Sequence, residues 1–288
     1  MRILKYFLQA LLIYIFYLII LLLGLTISRK IFSYLFAILG PFIKSNKILN
    51  SNLLKINKDY TYDDIKKISK KMWHNYSKVF VEYIFLNKFK KENKHIVIKN
   101  KNILDNILLK QKPVIFISGH FANFELMSME LIKNNFKLAT IYRPLNNFFL
   151  NPLMEFLRRN YVCKNQIKKG RHGVKKAVEF IKDNHSIALM VDQRVSEGKL
   201  LNFFNYPALT TTLPAQLAIK FNCDIVPIYI SRQDNETFVI EVYEPITAPK
   251  NDNSDKLKEN ISLNLNEILE DMIKKDPGQW ILTHNRWK

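Results

Sequence analysis

A histidine and an acid separated by four residues carry the clearest chemical signal in the chain. His120 and Glu125 lie in Ser118-Gly-His-Phe-Ala-Asn-Phe-Glu125, directly after the apolar run Pro113–Ile117. The run predicts a buried strand, and a helical pattern begins near Glu125. A carboxylate that fixes one tautomer of an imidazole makes that ring a general base near neutral pH. The pair is therefore a candidate catalytic dyad, the alternative being a buried structural histidine beside a helix-start acid.

Asp192 and Gln193 are a second candidate pair, because they follow the apolar run Ile187–Val191. Ligands of open α/β sheets bind at the carboxyl ends of the strands. His120 and Asp192 both come just after a predicted strand, so we expect both at that edge. Asp192 could orient Arg194 or a substrate hydroxyl, and an ordinary strand-end turn is the alternative.

Three arginines are candidates for binding an anion or stabilising an oxyanion. Arg143 closes the predicted strand Lys137–Tyr142, while Arg158 and Arg159 begin a run that contains no acid up to Glu179. A solvated basic surface is the usual explanation of such a run. Its density also fits a site for lipid phosphates or for an acidic carrier protein. The run comprises Arg158, Arg159, Lys164, Lys168, Lys169, Arg171, Lys175 and Lys176.

The segment Tyr6–Ser28 has no charged residue and predicts a membrane anchor. As a helix its 23 residues would extend roughly 35 Å, enough to cross a hydrocarbon core of about 30 Å. A signal peptide is the alternative, but no small-residue cleavage site precedes Arg29. More basic residues follow the anchor than precede it, which predicts a cytoplasmic body facing anionic lipid. Those that follow are Arg29, Lys30, Lys44, Lys47, Lys55 and Lys58.

We expect two parts: an anchor with an interfacial segment over residues 1–45, and one cytoplasmic domain over residues 46–288. Ile31–Phe42 is apolar but too short to cross the bilayer, so it would lie at the interface or under the body.

Within the body, predicted strands and helices alternate, which favours an α/β fold with a mostly parallel central sheet flanked by helices. Thr61–Asp64 resembles a capping box and opens an amphipathic helix. Pro227 interrupts the strand pattern at Ile225–Ile230 and predicts an edge or a strand end. The other predicted strands are Ile96–Ile98, Val114–Ser118, Lys137–Tyr142, Ile187–Val191 and Phe238–Tyr243. The other predicted helices lie near 103–109, 123–133, 148–160, 173–182, 213–221 and 255–275.

The composition and net charge indicate which classes of binding partner to expect. The formal net charge of +19 suits an anionic partner, such as a membrane surface or an acidic carrier. Nucleic acid is not expected, since no zinc-finger, recognition-helix or aromatic–basic pattern is present. Cys163 and Cys223 lack metal-ligand spacing, so we expect free thiols, no metal and no cofactor.

The ordered set of motifs resembles a known family. His120–Glu125 is similar to the H-x-x-x-x-D/E acyltransferase signature. It is followed in order by Asp192-Gln193, Thr210–Thr212, Ile225–Ile228 and an ending with Gln279-Trp280 and His284–Trp287. Together with the anchor, this resembles the lipid A biosynthesis acyltransferases of the lauroyl/myristoyl type. The chain departs from the common pattern in having Glu at position 125, which relatives also use, and Ala122 in place of a glycine.

The resemblance implies transfer of a fatty acyl chain from acyl carrier protein, or acyl-CoA, to a hydroxyl of a lipid A precursor. It also implies a single-pass anchor in the bacterial inner membrane. We expect His120 to act as the base and Glu125 to orient it, while Arg143, Arg158, Arg159, Asp192 and Gln193 bind substrate or oxyanion. The alternatives are a lipid-binding or scaffold protein on this fold, acylation of another glycolipid, and a lipid-ester hydrolase.

Overall fold

A seven-stranded, mostly parallel sheet organises the body of the protein and confirms the predicted α/β class. The computed structural model describes residues 2–43, 46–249 and 254–287. The strands in these ranges are β1 (Ile96–Lys99), β2 (Ile115–Ser118), β3 (Leu138–Tyr142), β4 (Asn165–Lys168), β5 (Ser186–Met190), β6 (Lys199–Phe203), β7 (Tyr206–Thr210), β8 (Ile225–Arg232) and β9 (Phe238–Val242). The helices are α1 (Arg2–Ile43), α2 (Asn46–Ile56), α3 (Tyr62–Ile84), α4 (Leu86–Lys91), α5 (Lys101–Leu109), α6 (Glu125–Lys133), α7 (Asn151–Leu157), α8 (Arg171–Lys182), α9 (Leu213–Phe221) and α10 (Asp255–Lys275).

The strand order β1-β9-β8-β2-β5-β3-β4 places β2 at the centre of the sheet. All four residues of β2 are buried, as expected for a parallel strand covered by helices on both faces. The one antiparallel pairing within the sheet is β8 with β9, and β6 and β7 form a separate hairpin. Because β2 and β5 are parallel neighbours, the loops after them emerge side by side.

Pro227 corrects the expectation of an edge or broken strand. It lies inside β8, which has β9 on one side and β2 on the other. The carbonyl of Pro227 accepts a hydrogen bond from the backbone N–H of Tyr243, one residue beyond β9. The N–H that proline lacks would face the same way, towards the end of the β9 ladder. The ring therefore removes only a terminal hydrogen bond, and the strand continues through it.

The strongly patterned elements match their predicted positions, and the short ones escape prediction. α9 and α10 have the predicted bounds, and Thr61 caps α3 through the predicted capping box with Asp64. The helices α2 and α4, the strand β4 and the β6–β7 hairpin were not predicted. The predicted boundary between the anchor part (1–45) and the domain (46–288) adjoins residues 44–45, which lie outside the described ranges. Cys163 and Cys223 are free and buried.

The helix α1 bends sharply at Gly24. This residue has φ 75° and ψ 169°, a conformation that a glycine adopts without the steric cost of a Cβ. The bend brings the ring of Phe16 to 5.5 Å from that of Phe32. A straight helix would separate these residues by roughly 24 Å. The bend lies inside the predicted anchor, so residues 25–28 belong to the second arm of the bent helix together with the following apolar segment.

A buried ionic cluster fixes the second arm of α1 to the body. Glu82 of α3 is fully buried and accepts hydrogen bonds from Arg232 of β8 and from Arg29 of α1. Its Oε2 also accepts from the side chain of Asn123 at 2.9 Å. Burial alone would raise the pKa of Glu82, but the two arginines and Asn123 lower it below its ordinary value. Glu82 therefore stays ionised and joins the anchor, the sheet and the loop after β2.

Replacing Glu82 by Gln should destabilise the protein strongly, because it leaves Arg29 and Arg232 with only the partly exposed Glu236 as a counter-charge. The expected loss is about 3–5 kcal/mol of unfolding free energy. Chemical denaturation of the detergent-solubilised protein measures it. Glu236→Gln is the matched control: Glu236 also pairs with Arg232, but its side chain is 32% exposed, and we expect a loss of about 1 kcal/mol or less. Equal losses in the two variants would contradict the structural role of Glu82.

Candidate active site

His120 and Asp192 meet because their strands are parallel neighbours in matching register. Ser118 of β2 pairs with Met190 of β5, and the N–H of Val191 donates to the carbonyl of Ser118 at 2.9 Å. His120 and Asp192 each lie two residues beyond that pair. The same edge of the sheet therefore presents both side chains, and Nδ1 of His120 lies 2.7 Å from Oδ1 of Asp192.

Three hydrogen bonds hold the Asp192 carboxylate. Besides Nδ1 of His120, the backbone N–H of His120 donates to Oδ2 at 3.0 Å, and Nε1–H of Trp280 donates to Oδ2 at 2.8 Å. Asp192 is 1% exposed, and this burial would raise its pKa. The charge and hydrogen bonds of His120 and the hydrogen bond of Trp280 outweigh burial and lower the pKa of Asp192 to about 2. The carboxyl group is ionised at neutral pH.

The ionised carboxylate determines the tautomer of His120. Asp192 can only accept hydrogen bonds, so the proton of a neutral His120 ring lies on Nδ1 and the lone pair lies on Nε2. The His120 side chain is 20% exposed and lines the main pocket, and the ring of Phe124 packs edge-on against it at 4.7 Å. His120 is thereby prepared to accept a proton at Nε2.

Glu125 has different partners from those expected. Its Oε1 accepts hydrogen bonds from Nε and Nη2 of Arg158, at 2.9 and 2.6 Å, and from the hydroxyl of Tyr83. The carboxylate on Nδ1 of His120 is that of Asp192, so the expected orientation of His120 by Glu125 is corrected. The reason is geometric: β5 places Asp192 beside His120, whereas Glu125 begins α6 and meets Arg158 at the start of a π-helical turn, Arg158–Val162.

The loop between His120 and α6 is tightly constrained. A Cβ on Gly119 would approach the ring of Phe121 to 2.7 Å, so only glycine fits there. Ala122 has φ 42°, in the left-handed region where glycine is unstrained and alanine costs about 1 kcal/mol. The backbone N–H of Ala122 donates to the carbonyl of Gln279 at 2.9 Å, which compensates for part of this strain. The chain thus keeps the backbone conformation that the family's common glycine would favour.

Residues of the C-terminal segment contact the loop after β5. Trp280 binds Asp192, and Nε2 of His284 accepts a hydrogen bond from the backbone N–H of Arg194 at 3.0 Å. Burial lowers the pKa of His284, which favours the neutral ring needed to accept that bond. The guanidinium of Arg286 is buried near Asp192, and burial lowers its pKa to about 10.

His120 lines an open pocket of about 800 Å³. Apolar side chains and a row of basic ones share its wall. The apolar ones include Met127, Ile141, Val162, Ala188 and Leu189, and the basic ones are Arg143, Arg158, Lys169, Arg171 and Arg194. Such a cavity suits a ligand with a long apolar part and an anionic or polar head.

The predicted substrate-binding residues divide between pocket and surface. Arg143 and Gln193 line the pocket, and Arg158 lines it while its Nε and Nη2 are bound to Glu125. Arg159 is exposed and is not among the described residues of the pocket wall. Sequence reasoning missed Tyr83 and the role of Trp280, because neither lies near His120 along the chain. No group of three metal-ligating side chains occurs among the described residues.

The fold and the pocket define an α/β protein with a histidine–carboxylate pair at the mouth of a largely apolar cavity. This arrangement suits the deprotonation of a hydroxyl or water beside an acyl chain. The family model for bacterial lipid A biosynthesis acyltransferases matches residues 1–288, and the chain belongs to that family. No curated protein matches the chain in a sequence search.

Asp192→Asn should destabilise the protein in a pH-dependent way. Because the folded state lowers the pKa of Asp192 from 3.8 to about 2, the ionised carboxylate stabilises the fold fully above about pH 4. That contribution disappears as the pH falls towards 2. The difference in unfolding free energy between wild type and variant should therefore be largest at pH 5–7 and shrink below pH 4. Denaturant titrations across this range measure it, and a constant difference down to pH 2 would argue against the assignment.

Proposed function

We propose that this acyltransferase transfers a fatty acyl chain to a hydroxyl of a lipid A precursor, with His120 as the general base. The observation that carries the proposal is the 2.7 Å contact of Asp192 with Nδ1 of His120, a residue that lines the pocket. This contact leaves Nε2 as the ring nitrogen that can accept a proton. Nε2 takes the proton of the acceptor hydroxyl as its oxygen attacks the carbonyl of the acyl thioester. The C–S bond then breaks, and the leaving thiolate takes the proton from the imidazolium of His120 and departs as the thiol.

Asp192 stabilises the imidazolium that forms during this transfer, as the carboxylate of a catalytic triad does. The role of Glu125 is that of a positioning residue: it holds Arg158 and the hydroxyl of Tyr83 in the pocket wall. Arg143 lines the same pocket and is our candidate for stabilising the oxyanion, and Gln193 for binding substrate. Arg159 lies outside the described pocket wall, so we assign it no role in catalysis.

The acyl donor is proposed to be an acidic acyl carrier protein, with acyl-CoA as the alternative. Lys169 and Arg171 stand at the pocket, at the start of the 12-residue helix α8. The positive end of a helix and nearby cations favour phosphate groups. These groups could belong to the carrier's prosthetic arm or to the acceptor lipid. Donor competition assays at low and high salt separate the two donors, since binding of an acidic protein weakens more steeply with salt.

We further propose that α1 attaches the protein to the bacterial inner membrane with the body on the cytoplasmic side. The stretch Arg2–Phe42 is long and apolar enough to meet a bilayer. The basic residues that follow the anchor support a cytoplasmic body next to anionic lipid. Arg29 contributes less to that asymmetry than the sequence suggests, because it pairs with buried Glu82.

His120→Ala should reduce acyl transfer by about 10²–10⁴-fold, the usual contribution of a general base. Mass spectrometry of lipid A from cells with the protein, without it and with the variant measures the loss of one secondary acyl chain. His185→Ala is the matched control, since His185 lies at the opposite end of β5 and should leave the profile unchanged. Accumulation of free fatty acid would instead indicate a hydrolase, and an unchanged lipid A profile would indicate another acceptor.

The pH profile distinguishes the two carboxylates. In Asp192→Asn the imidazolium loses its counter-charge, so kcat should fall and the acidic limb of the kcat/KM profile should move to lower pH. In Glu125→Gln the rate should fall without displacement of that limb, because Glu125 acts through Arg158 and Tyr83. Initial rates between pH 5 and 9 provide the comparison. Displacement in Glu125→Gln alone would restore Glu125 as the residue that orients His120.

A further inference from the structure

The first arm of α1, residues 2–23, packs against the body along its whole length. Its less exposed positions form one stripe, with Ala10 and Ile20 buried at 3% and 0% exposure. The intervals of three and four residues place this stripe on a single helix face. The stripe comprises Tyr6, Ala10, Ile13, Tyr17 and Ile20.

The body contributes a specific partner segment, the aromatic rim, which we define as residues 145–156. Asn147 donates from Nδ2 to the carbonyl of Tyr6 at 2.9 Å, and the hydroxyl of Tyr14 donates to the carbonyl of Phe149 at 3.0 Å. The rings of Phe7 and Phe149 pack edge to face at 5.7 Å. Near the bend, Phe16 meets Phe32 of the second arm. The contacts with the rim extend from Tyr6 to Tyr14, roughly 12 Å of helix.

An upright crossing of the bilayer conflicts with these contacts. If the first arm stood upright, the rim would be carried with Tyr6 and Tyr14 into the hydrocarbon core, along roughly 12 Å of helix. The rim and its neighbours include the exposed side chains of Arg143 and Asn146. Polar and charged groups without partners at that depth cost several kcal/mol. A helix lying along the membrane surface avoids this cost.

The rim itself has the composition of an interfacial surface. Phe148 and Phe156 are 52% and 55% exposed, and Leu145 is also exposed. Leu145 also lines the open pocket, next to Arg143. Aromatic and basic side chains together are typical of the level of the lipid headgroups. The rim is continuous with the exposed apolar face of the first arm. A continuous apolar surface of this kind fits lipid, so we infer that lipid covers both the rim and this face.

We propose that the first arm of α1 lies within one leaflet, alongside the aromatic rim, in place of the single-pass crossing that the sequence predicts. This rests on the proposed membrane attachment and specifies its form. The bend at Gly24 permits the arrangement, because it turns the first arm back along the body. The pocket mouth then opens at the level of the acyl chains, so an acceptor lipid reaches His120 without leaving its leaflet.

The outward face of the first arm offers a direct test. Six exposed apolar residues lie on one stripe opposite the body, so nitroxides attached there report depth along the helix. They are Leu4, Leu8, Leu11, Ile15, Leu18 and Leu22. Each is replaced singly by Cys (Leu4→Cys and so on), labelled, and reconstituted into vesicles of zwitterionic and anionic phospholipid. The native thiols of Cys163 and Cys223 are buried, and burial raises the pKa of each to about 11, so both react slowly.

Accessibility to oxygen and to a water-soluble relaxation agent measures the depth. An in-plane arm predicts similar depths at all six positions, and Phe148→Cys should also be shielded from the water-soluble agent. An upright crossing predicts shallow ends and a deepest point near Leu11, which would overturn the proposal. Leu109→Cys, on an 81% exposed residue of the body, is the aqueous control.

The depth profile does not depend on catalysis, so it separates the two proposals. Even depths in a protein that fails to acylate lipid A would leave the in-plane arm intact and reject the proposed reaction. A graded profile in an active protein would reject the in-plane arm alone. Water-like accessibility at all six positions would mean that the arm does not enter lipid and would reject both this inference and the proposed attachment.

Discussion

The ionised Glu82 is the constraint on which the arrangement of the parts depends. A carboxylate without exposure to solvent requires counter-charges, and here they come from parts of the chain far apart in sequence, Arg29 and Arg232. Asn123 adds the loop that carries His120. Each group satisfies the desolvated charge only if all three elements are in place. Helix α1 and the loop after β2 are thus positioned by the same buried group.

Asp192 has the corresponding role at the chemical centre. Its two oxygens accept hydrogen bonds from His120 and Trp280, so the loop after β2, the loop after β5 and the C-terminal segment converge on a single carboxylate. The register of two parallel strands brings the acid to the histidine, and no local motif is needed. The nearby acid, Glu125, is then available to hold Arg158.

Much of the fold could be predicted from the sequence. Long apolar runs and long amphipathic patterns identify strands and helices even where single residues have no clear preference. The core strands β2 and β5 and the capped helix α3 are examples. Short elements such as α4 and β4 carry too few residues for a period to emerge. The long apolar helix α1 was predicted from its composition, but its bend depends on one glycine whose φ angle the sequence does not reveal.

The sequence predicted which residues belong to the candidate site, but it did not predict which of them bind each other. His120 and Asp192 each follow a predicted strand, and that was a sufficient signal to place them at one edge of the sheet. Which carboxylate meets the imidazole depends on strand order, and sequence patterns do not give the order β2-β5. The contact of Trp280 spans 88 positions along the chain and has no local signature. Proximity along the chain favoured Glu125 as the partner of His120, whereas the sheet topology places Asp192 beside the imidazole.

The contact of Trp280 with Asp192 makes the geometry of His120 depend on the completed fold. In a folding intermediate in which β2 and β5 have paired but Trp280 has not yet docked, the buried Asp192 carboxylate would lack one of its three hydrogen bonds. The full set of contacts that holds Asp192 against His120 therefore forms only when the segment that carries Trp280 has packed onto the sheet.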